Sequence, residues 1–269
     1  MPPPPPPPGA SGADLAHTRS GSGPVLVVVR QLDRDLWQPA LDLLAREREV
    51  VAVDLPGFGD SPPLPPGTAP TIEALAGAVA SWLRTAGLGR PPVAGNSLGG
   101  AVALELARTG AVGGAIALSP IGLWTRPEAA YVTGSLRLAG AAARALGRHV
   151  PRVAGSPVGR TLVFWQLVAR PWRMAGPTAE GTLRGLARLP ELEATRRAVQ
   201  PYRLRGFRPQ VPVTVAWSGL DLMTPPYQAR RAARLLPGAR RVVLRGCGHS
   251  PMPDTPERVA RLLLSATGR

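Results

Sequence analysis

The sequence predicts an α/β fold: a mostly parallel sheet with helices on both faces and one helical insertion. Three observations predict it. From Pro24 onward short β-branched runs alternate with longer segments of helical periodicity. The strand candidates are mainly continuous apolar runs, as strands covered on both faces are. One interval, residues 121–208, is far longer than the roughly 2–6 residues that ordinarily join such elements.

Taken in order, Val25–Val29 reads as a strand, Leu36–Arg46 as a helix, Val50–Asp54 as a strand, Ile72–Thr85 as a helix and Pro92–Ala94 as a strand. A helix over Leu98–Arg108 and a strand over Ala115–Leu118 complete the first part. After the long interval the rhythm resumes with strand Val213–Trp217, helix Gln228–Leu236, strand Arg241–Leu244 and helix Pro256–Ser265. The alternation is that of βαβ units. Residues 1–23, rich in Pro, Gly and Ser and without apolar periodicity, read as an extended or disordered arm, with only Leu15–Arg19 left to supply any earlier strand. The expected organisation is therefore an arm (1–23), a core in two pieces (24–120 and 209–269) and a helical cap (121–208).

The 269 residues carry a net charge of +15, and every basic residue is an arginine. The cap interval alone holds fifteen arginines against four glutamates, an excess of eleven. No zinc-finger spacing, basic heptad or aromatic RNA-binding signature accompanies that charge, which argues against a nucleic-acid partner. The single cysteine, Cys247, excludes an intrachain disulfide framework. Met1 is followed by prolines rather than by a cationic and then apolar leader, so a cytoplasmic location is expected. The longest apolar windows, Pro24–Val29 and Ala111–Trp124, are too short or too interrupted to cross about 30 Å of hydrocarbon, and no stable membrane insertion is expected.

Gly95-Asn96-Ser97-Leu98-Gly99 stands between an apolar strand and an alanine-rich helix, the context that a G-x-S-x-G nucleophile elbow requires. A sharp strand-to-helix turn strains the nucleophile, and glycines two residues before and after it let backbone approach closely. A serine hydroxyl needs a base. Of the three histidines, His17 lies in the expected arm and His149 in the expected cap, while His249 follows the last strand, where a loop side chain reaches the sheet's C-terminal edge. Asp221, in the loop after Val213–Trp217, points to the same edge and is the better acid; Asp254 lies only five residues past His249.

Together with these features, Asp54-Leu55-Pro56-Gly57-Phe58-Gly59-Asp60-Ser61, Trp217-Ser218-Gly219-Leu220-Asp221 and Gly246-Cys247-Gly248-His249-Ser250-Pro251 resemble the capped α/β-hydrolase superfamily over nearly everything from Pro24 to the C-terminus. The chain order Ser, Asp, His is also that of the family. The resemblance implies an α/β-hydrolase fold and a triad of Ser97, Asp221 and His249. It also implies an oxyanion hole from the backbone N–H groups of Leu98 and Leu32, with no metal or organic cofactor. Arg30-Gln31 stands where relatives have His-Gly, which implies a differently turned loop and one weakened oxyanion donor, worth about 2.7–4 kcal/mol.

The activity expected on this basis is hydrolysis of a small-molecule ester or related acyl substrate through an acyl-enzyme on Ser97. Asn96, Trp124 and Trp165 are the expected substrate-binding residues. Asn96 beside the nucleophile resembles the branch that hydrolyses C–C bonds of acidic ring-cleavage products. A non-catalytic binding protein on the same fold is the other alternative, and a homo-oligomer is left open.

Overall fold

The apolar runs from Val25 onward become the strands β2 (Val25–Arg30), β3 (Glu49–Asp54), β4 (Pro92–Asn96), β5 (Gly114–Leu118), β6 (Val213–Ser218) and β7 (Arg240–Leu244), preceded by β1 (His17–Ser20). The computed structural model describes residues 14–32 and 34–268. The seven strands form one sheet in the order β1-β3-β2-β4-β5-β6-β7. β1 runs antiparallel to β3, and every other pairing is parallel.

β1 corrects the expected arm. His17 to Ser20 pair with Val53 to Val50, so the ordered sheet begins inside the interval assigned to residues 1–23. The polar run His-Thr-Arg-Ser carries no apolar periodicity because an exposed edge strand buries neither face. The part of the expected arm from residue 1 to 13 lies outside the described residues.

The parallel strands β2 to β6 are buried on both faces because they supply alternate side chains to two cores, whereas β7, at the sheet's edge, buries only Leu244. Val27, Val29, Val51, Val53 and Val93 pack with helices α2 (Ile72–Thr85) and α3 (Leu98–Arg108). Leu26, Val28, Val50, Ala52 and Ala94 pack on the other side with α1 (Arg34–Leu44) and the C-terminal helix, here α10 (Pro256–Ala266). Between β5 and β6 the chain forms α4 (Arg126–Leu146), α5 (Val150–Gly155), α6 (Pro157–Phe164), α7 (Gly176–Ala187) and α8 (Glu193–Val199), with short 3-10 turns between them; α9 (Ala229–Leu235) then links β6 to β7. Helices α4 to α8 fall within the interval 121–208.

The insertion is bolted to the core at its start. Thr125 caps α4, accepting from the Glu128 backbone N–H while the Glu128 carboxylate accepts from the Thr125 N–H, a reciprocal pair that satisfies two helix-end donors. The same carboxylate takes Arg231 and the Tyr227 hydroxyl, so one residue joins the cap to the segment that follows β6. Burial raises the Glu128 carboxyl, but the bonds from Arg231, Tyr227 and Thr125 outweigh it and hold it down at about 2.

Candidate active site

Ser97 sits between β4 and α3 with φ +53° and ψ −113°, a backbone conformation that an L-residue adopts only under strain. The turn is as tight as the glycine spacing requires. A Cβ on Gly95 would lie 2.3 Å from the Gly99 carbonyl carbon, and one on Gly99 would lie 2.9 Å from the Val29 carbonyl oxygen. The Ser97 N–H donates to Leu118 O at 2.9 Å, anchoring the elbow to β5. Leu98 is the first residue of α3, whose first-turn N–H groups have no acceptor within the helix and carry the positive end of its dipole.

His249 comes to the same edge of the sheet and is 5% exposed. Its Nδ1 lies 3.1 and 3.0 Å from the two carboxylate oxygens of Asp221. A carboxylate only accepts, so Nδ1 carries the proton and Nε2 is left as the basic nitrogen. Asp221 is held by its own loop, accepting the N–H groups of Met223 and Thr224 and the Thr224 hydroxyl. Burial pushes the Asp221 carboxyl up, but its electrostatic attraction to His249, the hydrogen bond with that ring and the bonds from Thr224 and Ser119 overcome it, and the net shift is downward. Trp217 Nε1 donates to Thr224 O at 2.8 Å and closes that loop.

Two residues fix the histidine loop from outside the pair. Asn96 Nδ2 donates to the carbonyls of His249 at 3.0 Å and Leu118 at 3.1 Å, and its Oδ1 accepts from the Ser250 hydroxyl at 3.4 Å. Asp254 accepts three backbone N–H groups, Gly248 at 2.8 Å, Ala169 at 2.9 Å and Arg170 at 2.8 Å, the last two from the insertion. The Ser250 N–H adds a bond to Leu167 O at 2.8 Å. A Cβ on Gly248 would meet Ala169 N at 2.7 Å, so the glycine before His249 is what allows the insertion to approach.

Ser97 and His249 face a cavity of about 380 Å³ between the sheet edge and the insertion. Gln31, Leu32, Asn96, Leu98 and Trp124 are also in its wall. The rest is mainly aliphatic, from Leu136, Leu167, Leu186 and Val199 among others, with Arg137, Glu193 and Arg196 the charged groups. Pockets for small ligands have this character, apolar walls with a few placed polar groups.

Of the expected substrate-binding residues, Trp124 reaches the cavity, its indole N–H held by Tyr202 O at 3.1 Å. Asn96 reaches it as well, but its amide is spent on the histidine loop. Trp165 is a correction: it is 53% exposed and absent from the cavity wall. Phe164, one residue earlier, takes the inward direction and is fully buried, and the next residue of a helix lies about 100° round.

Arg30 is explained by the sheet. Arg30 pairs in register with Asp54 of the neighbouring strand, and its Nε lies 2.9 Å from Asp54 Oδ1 with both side chains buried. Burial raises the Asp54 carboxyl and the charges of Arg30 and Arg34 oppose the rise. Among the described residues only Ser97 and Ser119 are non-glycine residues with positive φ, so the backbone at Gln31 does not call for a glycine. Sequence reasoning missed the Asn96, Thr224 and Asp254 supports. Asp254 was visible only as an acid near the histidine, because its partners Ala169 and Arg170 are some 85 residues away in the chain.

A strained serine on a strand-to-helix turn, with an acid-held histidine at the same sheet edge and a largely apolar cavity above, has the geometry of a hydrolase site. The chain belongs to the alpha/beta hydrolase family, whose sequence model matches residues 15–262. It is similar to a pimeloyl-[acyl-carrier protein] methyl ester esterase of Neisseria meningitidis, 32% identical over 86% of this chain and 87% of that protein. It is also similar to the epoxide hydrolase EphH of Mycobacterium tuberculosis, 31% identical over 64% of this chain and 84% of that protein. Among solved structures it resembles a thermophilic esterase from Thermogutta terrifontis at a TM-score of 0.70, with 26% identity and 94% of each chain covered. The chain is therefore an enzyme of the hydrolase class.

Proposed function

We propose that the chain is a serine hydrolase of carboxylic esters that works through an acyl-enzyme on Ser97. The observation that carries this reading is the convergence of Ser97, in its strained turn, and His249, held through Nδ1 by Asp221, on one cavity. His249 Nε2 takes the Ser97 proton as Oγ adds to the ester carbonyl, and the backbone N–H groups of Leu98 and Leu32 stabilise the oxyanion. The protonated imidazole gives its proton to the departing alcohol. Water, deprotonated in turn by His249, then releases the acid and returns the proton to Ser97. Asp221, with its depressed pKa, stays ionised and stabilises the imidazolium.

The nature of the nucleophile favours an ester over the epoxide named for one relative. Serine opening an epoxide would leave an ether on the enzyme, which water does not cleave, whereas an acyl-serine is cleaved. Asn96, the residue behind the C–C reading, uses its amide to hold the histidine loop. The aliphatic cavity wall suits an acyl chain.

The test is to incubate the protein and its Ser97→Ala variant with a fluorophosphonate, locate the adduct by mass spectrometry, and follow nitrophenol release from nitrophenyl esters of increasing chain length. The expected result is an adduct on Ser97, absent from the variant, with turnover of the parent protein. A folded sample that neither labels nor turns over would put the non-catalytic reading in its place.

A further inference from the structure

The insertion carries a run of the chain in which acid is absent. Between Glu128 and Glu180 there are seven arginines and neither Asp nor Glu. Soluble helices ordinarily cover their outer face with charges of both signs. Here part of the outer face is apolar instead. Val158, Leu162 and Trp165 recur at i, i+4 and i+7 along α6 and its end, and they are 68%, 72% and 53% exposed. On α4, Tyr131 and Leu138 are exposed in the same way, one heptad apart.

The two helices present neighbouring surfaces. Gln166, next to Trp165, donates to the Tyr131 hydroxyl at 3.0 Å and lies 3.4 Å from the Ser135 hydroxyl. Trp172 extends the patch: its carbonyl accepts from Arg160, and its ring is half exposed. The inner face of α4 meanwhile supplies Val132, Thr133 and Leu136 to the cavity wall above Ser97. One helix therefore has one side on the site and the other on the patch.

We infer that this face of the insertion is a docking surface for an anionic lipid membrane, from which the enzyme draws acyl substrate. Exposed Leu, Trp and Tyr set among arginines is the composition that seats a helix at the boundary between headgroups and acyl chains. Arginines near such a surface gain from anionic headgroups. Nucleic acid would be met by the charge but not by exposed Leu138, Val158 and Leu162. A second copy of the chain packed through the same face would bring like charge against like, since Arg144, Arg148, Arg152 and Arg173 are exposed there and the segment itself has no acid; Arg137 is paired with Glu193 and Arg160 is buried. No helix among the described residues is long and apolar enough to cross a membrane, so the association is peripheral. The substrate part of this inference rests on the proposed esterase reading, whereas the docking itself does not.

The experiment uses the full chain carrying Ser97→Ala, so that no lipid is consumed, and measures co-sedimentation with vesicles of phosphatidylcholine alone and mixed with phosphatidylglycerol. Binding to the anionic vesicles is expected to be about tenfold or more tighter, and to weaken with salt. Adding Leu138→Ser, Leu162→Ser and Trp165→Ser is expected to weaken it about tenfold or more. In the parent background these three substitutions leave fluorophosphonate labelling in solution unchanged, which shows that the fold and site survive. Equal affinity for both vesicles, binding that ignores the three substitutions, or displacement by duplex DNA at matching charge would each overturn the inference. Vesicle binding without any labelling of the parent protein would retain the surface and reject the esterase.

Discussion

The side-chain amide of Asn96 donates to the backbone carbonyl of His249 at 3.0 Å, so the residue before the candidate nucleophile holds the residue that bears the candidate base. The two lie 153 positions apart in the chain. Asn96→Ala removes this bond and the one to Leu118 O; Leu118 O keeps the Ser97 N–H, so the His249 carbonyl is the group that loses its donor. The expected cost is about 1–3 kcal/mol of stability for that one buried group, by thermal unfolding. Ester turnover is expected to fall about tenfold or more in kcat with KM nearly unchanged, because what is lost is the placement of the imidazole rather than a substrate contact. A rise in KM alone would instead make Asn96 a substrate-binding residue.

Asp254 joins the histidine loop to the insertion through three backbone N–H groups. Asp254→Asn keeps the size but presents an NH2 group where one of its oxygens accepted. The expected outcome is a lower kcat together with faster hydrogen exchange at Gly248, Ala169 and Arg170, since an opening of either loop frees the other. Unchanged exchange at Ala169 and Arg170 would show that the insertion is held elsewhere.

At the elbow, Gly95→Ala forces a Cβ to within 2.3 Å of the Gly99 backbone, where no side chain can yield. The turn must open, at a cost of about 1–3 kcal/mol or more, and the strain that aims Ser97 goes with it. Labelling of Ser97 by fluorophosphonate is expected to slow by two orders of magnitude or more, roughly the loss of one well-placed oxyanion contact. Gly77, where a Cβ meets nothing within 4 Å, supplies the control: Gly77→Ala leaves labelling unchanged.

Glu128 sets an acid limit on the attachment of the insertion. Its carboxyl titrates at about 2 in the fold against 4.5 in the free chain, so its contribution is complete above pH 4.5 and lost as pH falls toward 2. Glu128→Gln is expected to lower the thermal midpoint at pH 6, with the difference from the parent shrinking between pH 4.5 and 2. A difference independent of pH would assign the effect to packing rather than to charge.

Most of the sheet was legible because β2 to β6 are buried on both sides, and such strands show as largely apolar runs whatever the tertiary detail. Ile72–Thr85 and Leu98–Arg108 fall where the periodicity places them. β1 was not legible, since an exposed polar edge strand is defined by its partner and not by its own pattern. Trp165 shows the same limit in the insertion, where composition suggests a bulky pocket residue and packing assigns the inward direction to Phe164.

The sequence by itself determined the α/β class, the insertion point and the serine, aspartate and histidine proposed for the chemistry, because strand burial and tight glycine turns are local demands written in adjacent residues. Only the tertiary structure decided which side chains support that site, that Arg30 answers Asp54, and which face of the insertion lines the cavity and which meets solvent. Those relations are contacts between residues far apart in the chain, and pattern along a chain carries no distance across it.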